Sequence, residues 1–166
     1  MNFGLVSHSL YLLLGANLGD KQHTFGLARR YVAELVGSIS SISSLYETAA
    51  WGVTDQPTYL NQVLAVATYL APADVLTQAQ AIEQKLGRVR TEKWGSRMID
   101  IDLLFYDALI LETPSLTLPH PLLHERRFTL MPLIEIAPDL IHPVFKKSVH
   151  QLLASCADEG NVIKLS

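Results

Sequence analysis

Two aspartates one residue apart, Asp100 and Asp102, form the most specific chemical signal in this sequence of 166 residues. They lie in a run of alternating residues that predicts a β-strand from Met98 to Tyr106. Alternate side chains of a strand share one face, so the two carboxylates should project together, with Cα atoms roughly 6–7 Å apart. Mg²⁺ prefers oxygen ligands and commonly takes one or two carboxylates together with substrate phosphates. The pair therefore predicts a magnesium site, although two acids on a solvent-exposed strand face are the simpler alternative.

The same alternation predicts which side chains of this strand are buried. The core-facing set is Ile99, Ile101, Leu103 and Phe105. Leu104 and Tyr106 should instead share the face of the two aspartates. Because acids are depleted in strands, two of them on a partly apolar face indicate a compensating cation or arginine.

A basic segment, residues 88–97, comes directly before this strand. It contains Arg88, Arg90, Lys93 and Arg97 with Trp94 among them, in a chain whose net charge is −3. Guanidinium groups match phosphate oxygens, and an indole offers a face for a planar ring. The alternative is a solvated basic loop. The position of the basic segment beside the paired carboxylates favours phosphoryl transfer from a nucleotide, which needs Mg²⁺ and cationic side chains together.

A second cluster of polar and aromatic residues follows the strand. Arg126 and Phe128 lie two residues apart, which predicts a clamp with one charged and one stacking contact. His120 and His124 have no cysteine or acid at zinc-ligand spacing, so they either add donors to the phosphate site or lie on the surface. Ordinary packing or surface roles compete with each of these interpretations.

Tyr59 and Asn61 are also two residues apart, on a predicted strand, and should share a face. The amide of Asn61 can pair with the edge of a heterocycle, because it offers both donors and an acceptor. Packing within the protein is the alternative for both residues.

The hydrophobic pattern predicts the order strand, helix, strand, strand, helix, strand. The predicted strands are Leu10–Leu14, Ile39–Tyr46, Tyr59–Leu70 and Met98–Tyr106; the helices run from a cap at Asp20 to about Gly37 and along Val75, Ala79, Ile82 and Leu86 to Gly87. This order predicts an α+β, ferredoxin-like fold with helices on one face of an antiparallel sheet and ligand-binding loops on the other. A small hairpin at Ala108–Leu111 and short helices around Phe128–Ile136 and Ser148–Ala154 should follow.

Composition predicts one globular domain over residues 1–166. Apolar residues make up 49% of the chain and charged residues 17%, which is enough to bury a core. The net charge of −3 argues against general binding to nucleic acid or anionic lipid. The lone cysteine, Cys156, cannot form an internal disulfide. Two stretches without charged residues, 1–19 and 56–73, do not resemble targeting or membrane-spanning segments. We expect a cytoplasmic monomer.

With these motifs assembled, the sequence resembles the 6-hydroxymethyl-7,8-dihydropterin pyrophosphokinase family of folate biosynthesis, from Leu12 to about Pro143. The resemblance depends on seven ordered blocks: LGANLGD (14–20), SSLYET (43–48), DQPTYLNQV (55–63), IEQKLGRVR (82–90), WGSRMIDIDLLFY (94–106), LPHPLLHERRF (118–128) and PLIEIAP (132–138). It implies a ferredoxin-like enzyme, a diphosphotransferase that moves the pyrophosphoryl group of ATP onto the hydroxymethyl oxygen of the pterin and releases AMP.

The resemblance also implies roles for individual residues. Asp100 and Asp102 would hold two Mg²⁺ ions, with Arg88 and Arg97 completing the catalytic set. The positions that match the ATP site are Glu83, Arg88, Arg90, Trp94, Arg97, His120 and Arg126. Those that match the pterin pocket are Thr48, Tyr59, Asn61, Trp94 and Phe128. Asp100 or a metal-bound water would accept the proton of the pterin hydroxyl, if a base is needed.

The sequence departs from the family pattern in four places: Ala16 replaces Ser, Ser96 replaces Pro, Leu122 stands where many members have Arg, and the stretch 46–52, which contains Ala49 and Ala50, lacks the prolines of the family. Lost prolines should loosen loops, and the lost arginine should weaken ATP binding. Another Mg²⁺-dependent phosphotransferase or nuclease would use the same carboxylates and arginines. An RNA-recognition module is disfavoured, because the strand aromatics and basic charge of that class are missing.

Overall fold

The computed structural model describes residues 6–49, 58–87 and 98–165. Eight strands and four helices are described. In chain order they are β1 (His8–Ala16), α1 (Lys21–Leu35), β2 (Gly37–Ile42), β3 (Leu45–Thr48), β4 (Tyr59–Thr68), α2 (Pro72–Gly87), β5 (Asp100–Tyr106), β6 (Leu111–Glu112), β7 (Thr117–Leu118), α3 (Arg127–Ile136), α4 (Val149–Ala154) and β8 (Val162–Leu165).

Six of the strands form one sheet in the order β5-β1-β4-β3-β8, and β2 pairs with β4 beyond β3. Each described pairing in this sheet is antiparallel. The first and fifth strands are therefore neighbours although α1, three strands and α2 separate them in the chain. The predicted α+β class with an antiparallel sheet is confirmed.

Each face of the sheet packs against its own pair of helices. On one face, α1 and α2 bury an apolar cluster that includes Leu12, Phe25 and Ile82. On the other, α3 and α4 bury a second cluster that includes Leu13 and Leu130. The two long helices thus share one face as predicted, but the opposite face is not left to loops alone, because the two short helices cover part of it.

The boundaries of the long helices follow from local chemistry. The Asp20 side chain caps α1 by accepting a hydrogen bond from the His23 amide at 3.2 Å. Helix α2 begins at Pro72, whose missing N–H costs nothing in a first turn, and ends at Gly87. Gly37 opens β2 where a Cβ would come within 2.1 Å of the Ala67 carbonyl oxygen, so close strand pairing there requires glycine.

The single strand predicted over Ile39–Tyr46 is interrupted. Ser43 lies between β2 and β3, and its side-chain oxygen accepts a hydrogen bond from the Val63 amide at 2.9 Å. The Gln62 side chain donates to the Ser43 carbonyl, also at 2.9 Å. Side-chain contacts thus replace part of the strand ladder at this point, and the chain divides into two short strands along β4.

A β-bulge in β5 changes the predicted burial pattern. Leu12 pairs with Leu103 and Tyr11 pairs with Phe105, so Leu104 is the extra residue. Beyond the bulge the faces are exchanged. Leu104 lies in the cluster under α3 and α4 as expected, but Phe105 joins it there instead of facing α1 and α2. Tyr106 correspondingly packs with the α1 and α2 cluster, so its predicted place on the aspartate face is wrong.

The segment after β5 also differs in part from prediction. The hairpin was expected at Ala108–Leu111, but the structure has it between β6 and β7. Asp107 turns the chain before it with a positive φ of 49°, and its carboxylate accepts a hydrogen bond from the Ser9 amide. The two short helices are confirmed as α3 and α4. Within the described ranges, no helix has the length and apolarity needed to cross a membrane.

Candidate active site

One rung of the sheet brings the predicted site residues together. Asp100 pairs with Gly15, Gly15 pairs with Asn61, and Asn61 pairs with Tyr46. Two rungs further along β5 and β1, Asp102 pairs with Leu13. Neighbouring strands are about 4.8 Å apart, so the Asp100 and Asn61 backbones are separated by roughly 10 Å. The carboxylates and the amide thus lie on one rigid surface, on the face that carries α3 and α4.

A cavity of about 580 Å³ lies over these rungs. Seven predicted site residues line it: Thr48, Tyr59, Asn61, Asp100, Asp102, Arg126 and Phe128. Its volume is in the usual range of small-molecule sites. Carboxylates, a guanidinium, an amide and aromatic rings therefore converge on one space large enough for an organic substrate.

The Asn61 side chain is the clearest sign of a ligand in this cavity. Asn61 is only 5% exposed, yet its amide makes no hydrogen bond with any residue in the described ranges. Among the described residues, the buried side-chain polar atom without a hydrogen-bond partner is His124 Nδ1, so the polar atoms of the Asn61 side chain are open to the cavity and not sealed in the core. Its donors and acceptor are available to a bound molecule.

The acidic end of the cavity contains the two aspartates. Asp100 is exposed and Asp102 is half-buried, and both line the same space as Arg126. Among the described residues, no group of three or more His, Cys, Asp or Glu side chains could hold a metal ion. Two carboxylates do fit Mg²⁺ when substrate phosphates supply further oxygens.

His120 lies close enough to this end to respond to both charges. Burial lowers the pKa of His120; the Asp102 carboxylate opposes that change, and the Arg126 guanidinium adds to it. The Nδ1 atom of His120 accepts a hydrogen bond from the Leu122 amide at 3.1 Å. The neutral ring therefore carries its proton on Nε2 and can act as a donor.

Glu83, the predicted nucleotide-side acid, has a structural contact. Its Oε2 atom accepts a hydrogen bond from the Ile101 amide at 2.7 Å. Ile101 lies between the two aspartates, so this carboxylate links α2 to the part of β5 that presents them. Glu83 is not among the residues that line the cavity.

Arg126 and Phe128 form the predicted pair at the start of α3. The Arg126 guanidinium carbon lies 5.6 Å from the centre of the Phe128 ring, in cation–π contact. Both side chains are half-buried and both line the cavity. In this structure the charged and stacking groups contact each other as well as the open space.

The C-terminal segment was absent from the predicted site. Asp158, Gly160, Asn161 and Val162 line the cavity, because β8 pairs with β3 beside it. The sequence carried a modest signal for this: the turn-forming run Asp158-Glu159-Gly160-Asn161 precedes a β-branched pair. Leu13, Gly15 and Ala49 complete the lining.

The predicted basic segment falls outside the described residues. This applies to the four site residues Arg88, Arg90, Trp94 and Arg97, and to the departure at Ser96. Residues 50–57 of the loop before β4 are likewise outside them. The predicted roles of these residues remain predictions.

Comparison with known proteins identifies the family. Residues 11–138 match the model of the 7,8-dihydro-6-hydroxymethylpterin-pyrophosphokinase family, HPPK. The chain belongs to this family. Among curated HPPK relatives, it is similar to the 2-amino-4-hydroxy-6-hydroxymethyldihydropteridine pyrophosphokinase of Methylorubrum extorquens, with 41% identity over 90% of this chain and 94% of that protein. The enzyme of the same name from Aquifex aeolicus is 39% identical over 86% of this chain and 89% of that protein.

Other HPPK relatives are much longer than this chain. The Schizosaccharomyces pombe folic acid synthesis protein fol1 is 36% identical over 90% of this chain, which spans 21% of that protein. Among solved structures, wild-type Plasmodium falciparum HPPK-DHPS matches with a TM-score of 0.74 at 16% identity, over 90% of this chain and 44% of that one. At that identity the structural match supports the fold alone.

Proposed function

We propose that this HPPK-family chain transfers the pyrophosphoryl group of ATP to the hydroxymethyl oxygen of 6-hydroxymethyl-7,8-dihydropterin, with release of AMP, in folate biosynthesis. Family membership and the names of full-length relatives at about 40% identity support the reaction. The observation that carries the proposal is the rung Asp100, Gly15, Asn61, in which a carboxylate and an amide lie on one surface of the sheet and so support a metal and phosphate end beside a heterocycle end.

The pterin occupies the end of the cavity around Asn61. The amide pairs with the hydrogen-bonding edge of the heterocycle, and the Phe128 ring stacks on its face. Thr48 and Tyr59 are opposite each other in the β3 and β4 register and complete this end. The hydroxymethyl group then points along the rung toward Asp100.

The triphosphate of ATP occupies the other end. Asp100 and Asp102 would hold two Mg²⁺ ions, which would supply neutralisation of the phosphate charge. Arg126 and the Nε2 proton of His120 add donors to the phosphate oxygens. The family resemblance assigns Arg88, Arg90, Trp94 and Arg97 to the same ATP site, and Arg88 and Arg97 would stabilise charge on the transferred group. Glu83 acts at a distance by fixing the Ile101 backbone between the two aspartates.

Transfer proceeds by in-line attack of the pterin hydroxyl oxygen on the β-phosphorus. The new oxygen–phosphorus bond forms as the bond from the β-phosphorus to the oxygen bridging it to the α-phosphate breaks, and AMP leaves with that oxygen. The hydroxyl proton is released. Because phosphoryl transfer has a loose transition state, the residues contribute mainly by positioning and by stabilising charge.

An assay of products tests this function. The protein is mixed with Mg²⁺, ATP and the reduced pterin, and AMP and the pterin diphosphate are quantified by chromatography. We expect both in equal amounts, with little AMP when the pterin is omitted. ADP as the product would indicate a different Mg²⁺-dependent phosphotransferase, and cleavage of a nucleic acid would indicate a nuclease.

We further propose that the fold has ferredoxin-like topology, in one domain over residues 1–166. The order β5-β1-β4-β3, with α1 and α2 on one face, supports the topology. One sheet shared by both apolar clusters supports the single domain. We also propose that the protein is a monomer in the cytoplasm; the free Cys156 supports only the reducing compartment.

A further inference from the structure

The C-terminal turn, residues 158–162, forms a side of the cavity that the family motifs do not cover. Asp158, Gly160, Asn161 and Val162 all line it, whereas the family model ends at residue 138. Val162 is opposite Thr48 in the pairing of β8 with β3. The turn is therefore next to the end assigned to the pterin.

Asp158 joins this turn to α3 with both of its carboxylate oxygens. Oδ2 accepts a hydrogen bond from the Arg127 amide at 3.0 Å, and Oδ1 accepts one from the Gly160 amide at 2.8 Å. Arg127 is the first residue of α3, and the preceding Arg126 provides no side-chain cap. Asp158 thus supplies the missing acceptor from a distant part of the chain.

This contact restrains the backbone next to Phe128. The Arg127 amide lies between Arg126 and Phe128, whose side chains both line the cavity. A carboxylate that accepts a hydrogen bond from this amide restrains the backbone of the first turn of α3, from which the Phe128 side chain extends into the cavity. The same carboxylate restrains Gly160, so the turn and the ring are held relative to each other.

Asn161 presents a second amide to the same space. Asn161 is exposed and lines the cavity, and its side chain makes no hydrogen bond with any residue that the structure describes. An amide can both donate to and accept from a heterocycle edge. The Asn161 amide can therefore bind an edge of the heterocycle that does not reach Asn61.

We propose that residues 158–162 form a wall of the pterin pocket, in which Asn161 contacts the heterocycle and Asp158 is a positioning residue for Phe128. The inference rests on the proposed function and extends it to residues beyond the family motifs. It makes the C-terminal turn a determinant of which pterin-like rings are accepted.

Steady-state kinetics of three variants test the proposal. Asn161→Ala should raise KM for the pterin about fivefold to tenfold, as expected for one lost hydrogen bond, with KM for ATP within twofold of wild type. Asp158→Asn retains one acceptor oxygen and should also raise KM for the pterin more than KM for ATP. Glu159→Gln is the matched control: it removes the same charge from an exposed neighbour that does not line the cavity, and should leave both constants unchanged.

The outcomes separate this inference from the function itself. Wild-type protein that makes no pterin diphosphate would overturn the function, whatever the variants do. Active wild type with an unchanged pterin KM in Asn161→Ala would overturn the inference alone. If Asp158→Asn does not fold, Asn161→Ala still tests whether the C-terminal turn contacts the pterin, because the Asn161 side chain makes no hydrogen bond with a described residue. Equal rises in both KM values for Asp158→Asn would overturn its positioning role.

Discussion

The amide oxygen of Asn61 lies where a side chain at Gly15 would begin: a Cβ built on Gly15 would come within 2.9 Å of it. Gly15 is paired with Asn61 in the β1 and β4 register, between Asn61 and Asp100. The absence of a side chain in β1 therefore lets the Asn61 amide extend over the sheet toward the two aspartates. Gly15, which lies just beyond the predicted strand Leu10–Leu14, thus has a direct role in shaping the cavity.

Gly15→Ala should separate substrate binding from folding. The added methyl group displaces the end of a flexible side chain, so we expect a loss of unfolding free energy of about 1 kcal/mol. KM for the pterin should rise several-fold, because the Asn61 amide moves. Gly26→Ala is the control, since its Cβ would meet nothing closer than 3.9 Å, and a helix interior gains about 0.5–1 kcal/mol from this change. A wild-type pterin KM in Gly15→Ala would contradict the role of Asn61.

Substitution of the aspartates should abolish turnover without unfolding the protein. Asp100→Ala and Asp102→Asn each change a proposed magnesium ligand at the edge of the cavity, and we expect AMP formation to fall at least about 100-fold. Thermal unfolding should occur at nearly the wild-type temperature, because neither carboxylate lies in an apolar cluster. Asp139→Asn, an exposed acid away from the cavity, is the control. Near-wild-type turnover in Asp100→Ala would refute the metal assignment.

Glu135 should couple energetically to Tyr46. The Glu135 carboxylate accepts hydrogen bonds from the Tyr46 hydroxyl at 2.7 Å and from the Ser44 amide and hydroxyl at 3.0 Å, which ties α3 to β3. Burial raises the pKa of this carboxyl, but the bonds from Tyr46 and Ser44 and the charge of Lys164 outweigh burial and lower it overall. Burial raises the pKa of Tyr46, and the hydrogen bond to Glu135 and the negative charge of that carboxylate raise it further.

A double-mutant cycle measures this coupling. Tyr46→Phe removes one hydrogen bond and should cost about 1–2 kcal/mol of unfolding free energy in urea titrations. Glu135→Gln should cost a similar amount, and the double variant less than the sum of the two. Strict additivity would show that the contact contributes nothing. Tyr11→Phe, on the same face of the sheet, serves as the control.

His142 should make stability depend on pH in a defined window. Burial, and then the neighbouring His124, lowers the pKa of His142 to about 4, below the ordinary value of 6.5. Between these values the unfolded chain binds a proton that the folded chain does not. The contribution of neutral His142 to the unfolding free energy is therefore complete above pH 6.5 and declines as the pH falls toward 4.

His142→Asn tests this window. The Nδ1 atom of His142 accepts hydrogen bonds from the Val144 and Phe145 amides at 3.2 Å, and an asparagine oxygen can accept the same bonds without titrating. Urea unfolding of both proteins between pH 7.5 and 4.5 should give a shallower pH dependence for the variant. The same slope in both proteins would contradict the assignment.

The sequence pattern predicted the elements that depend on local chemistry. The Asp20 cap, the apolar face of α2 and the alternation up to Leu103 are each encoded by neighbouring residues, and all three are confirmed. The shared face of Asp100 and Asp102 follows from the same alternation, and both line the cavity.

What the sequence could not predict depends on contacts between distant segments. The break at Ser43 arises from bonds to β4, and the displaced hairpin from the bond between Asp107 and β1. The C-terminal wall requires β8 to pair with β3, across more than 100 residues of chain. Short strands of this kind have too little local pattern to be recognised before their partners are known.

The bulge at Leu104 has a consequence for how β5 tolerates changes in length. Leu104 has no counterpart in β1, while Leu103 and Phe105 pair with consecutive residues. Deletion of residue 104 would therefore restore regular alternation without rotating either end of the strand. Asp100 and Asp102 would keep their orientation, and the loss would be confined to one apolar side chain beneath α3 and α4. Deletion of Leu104 should therefore lower the unfolding free energy of the protein rather than the activity of the site.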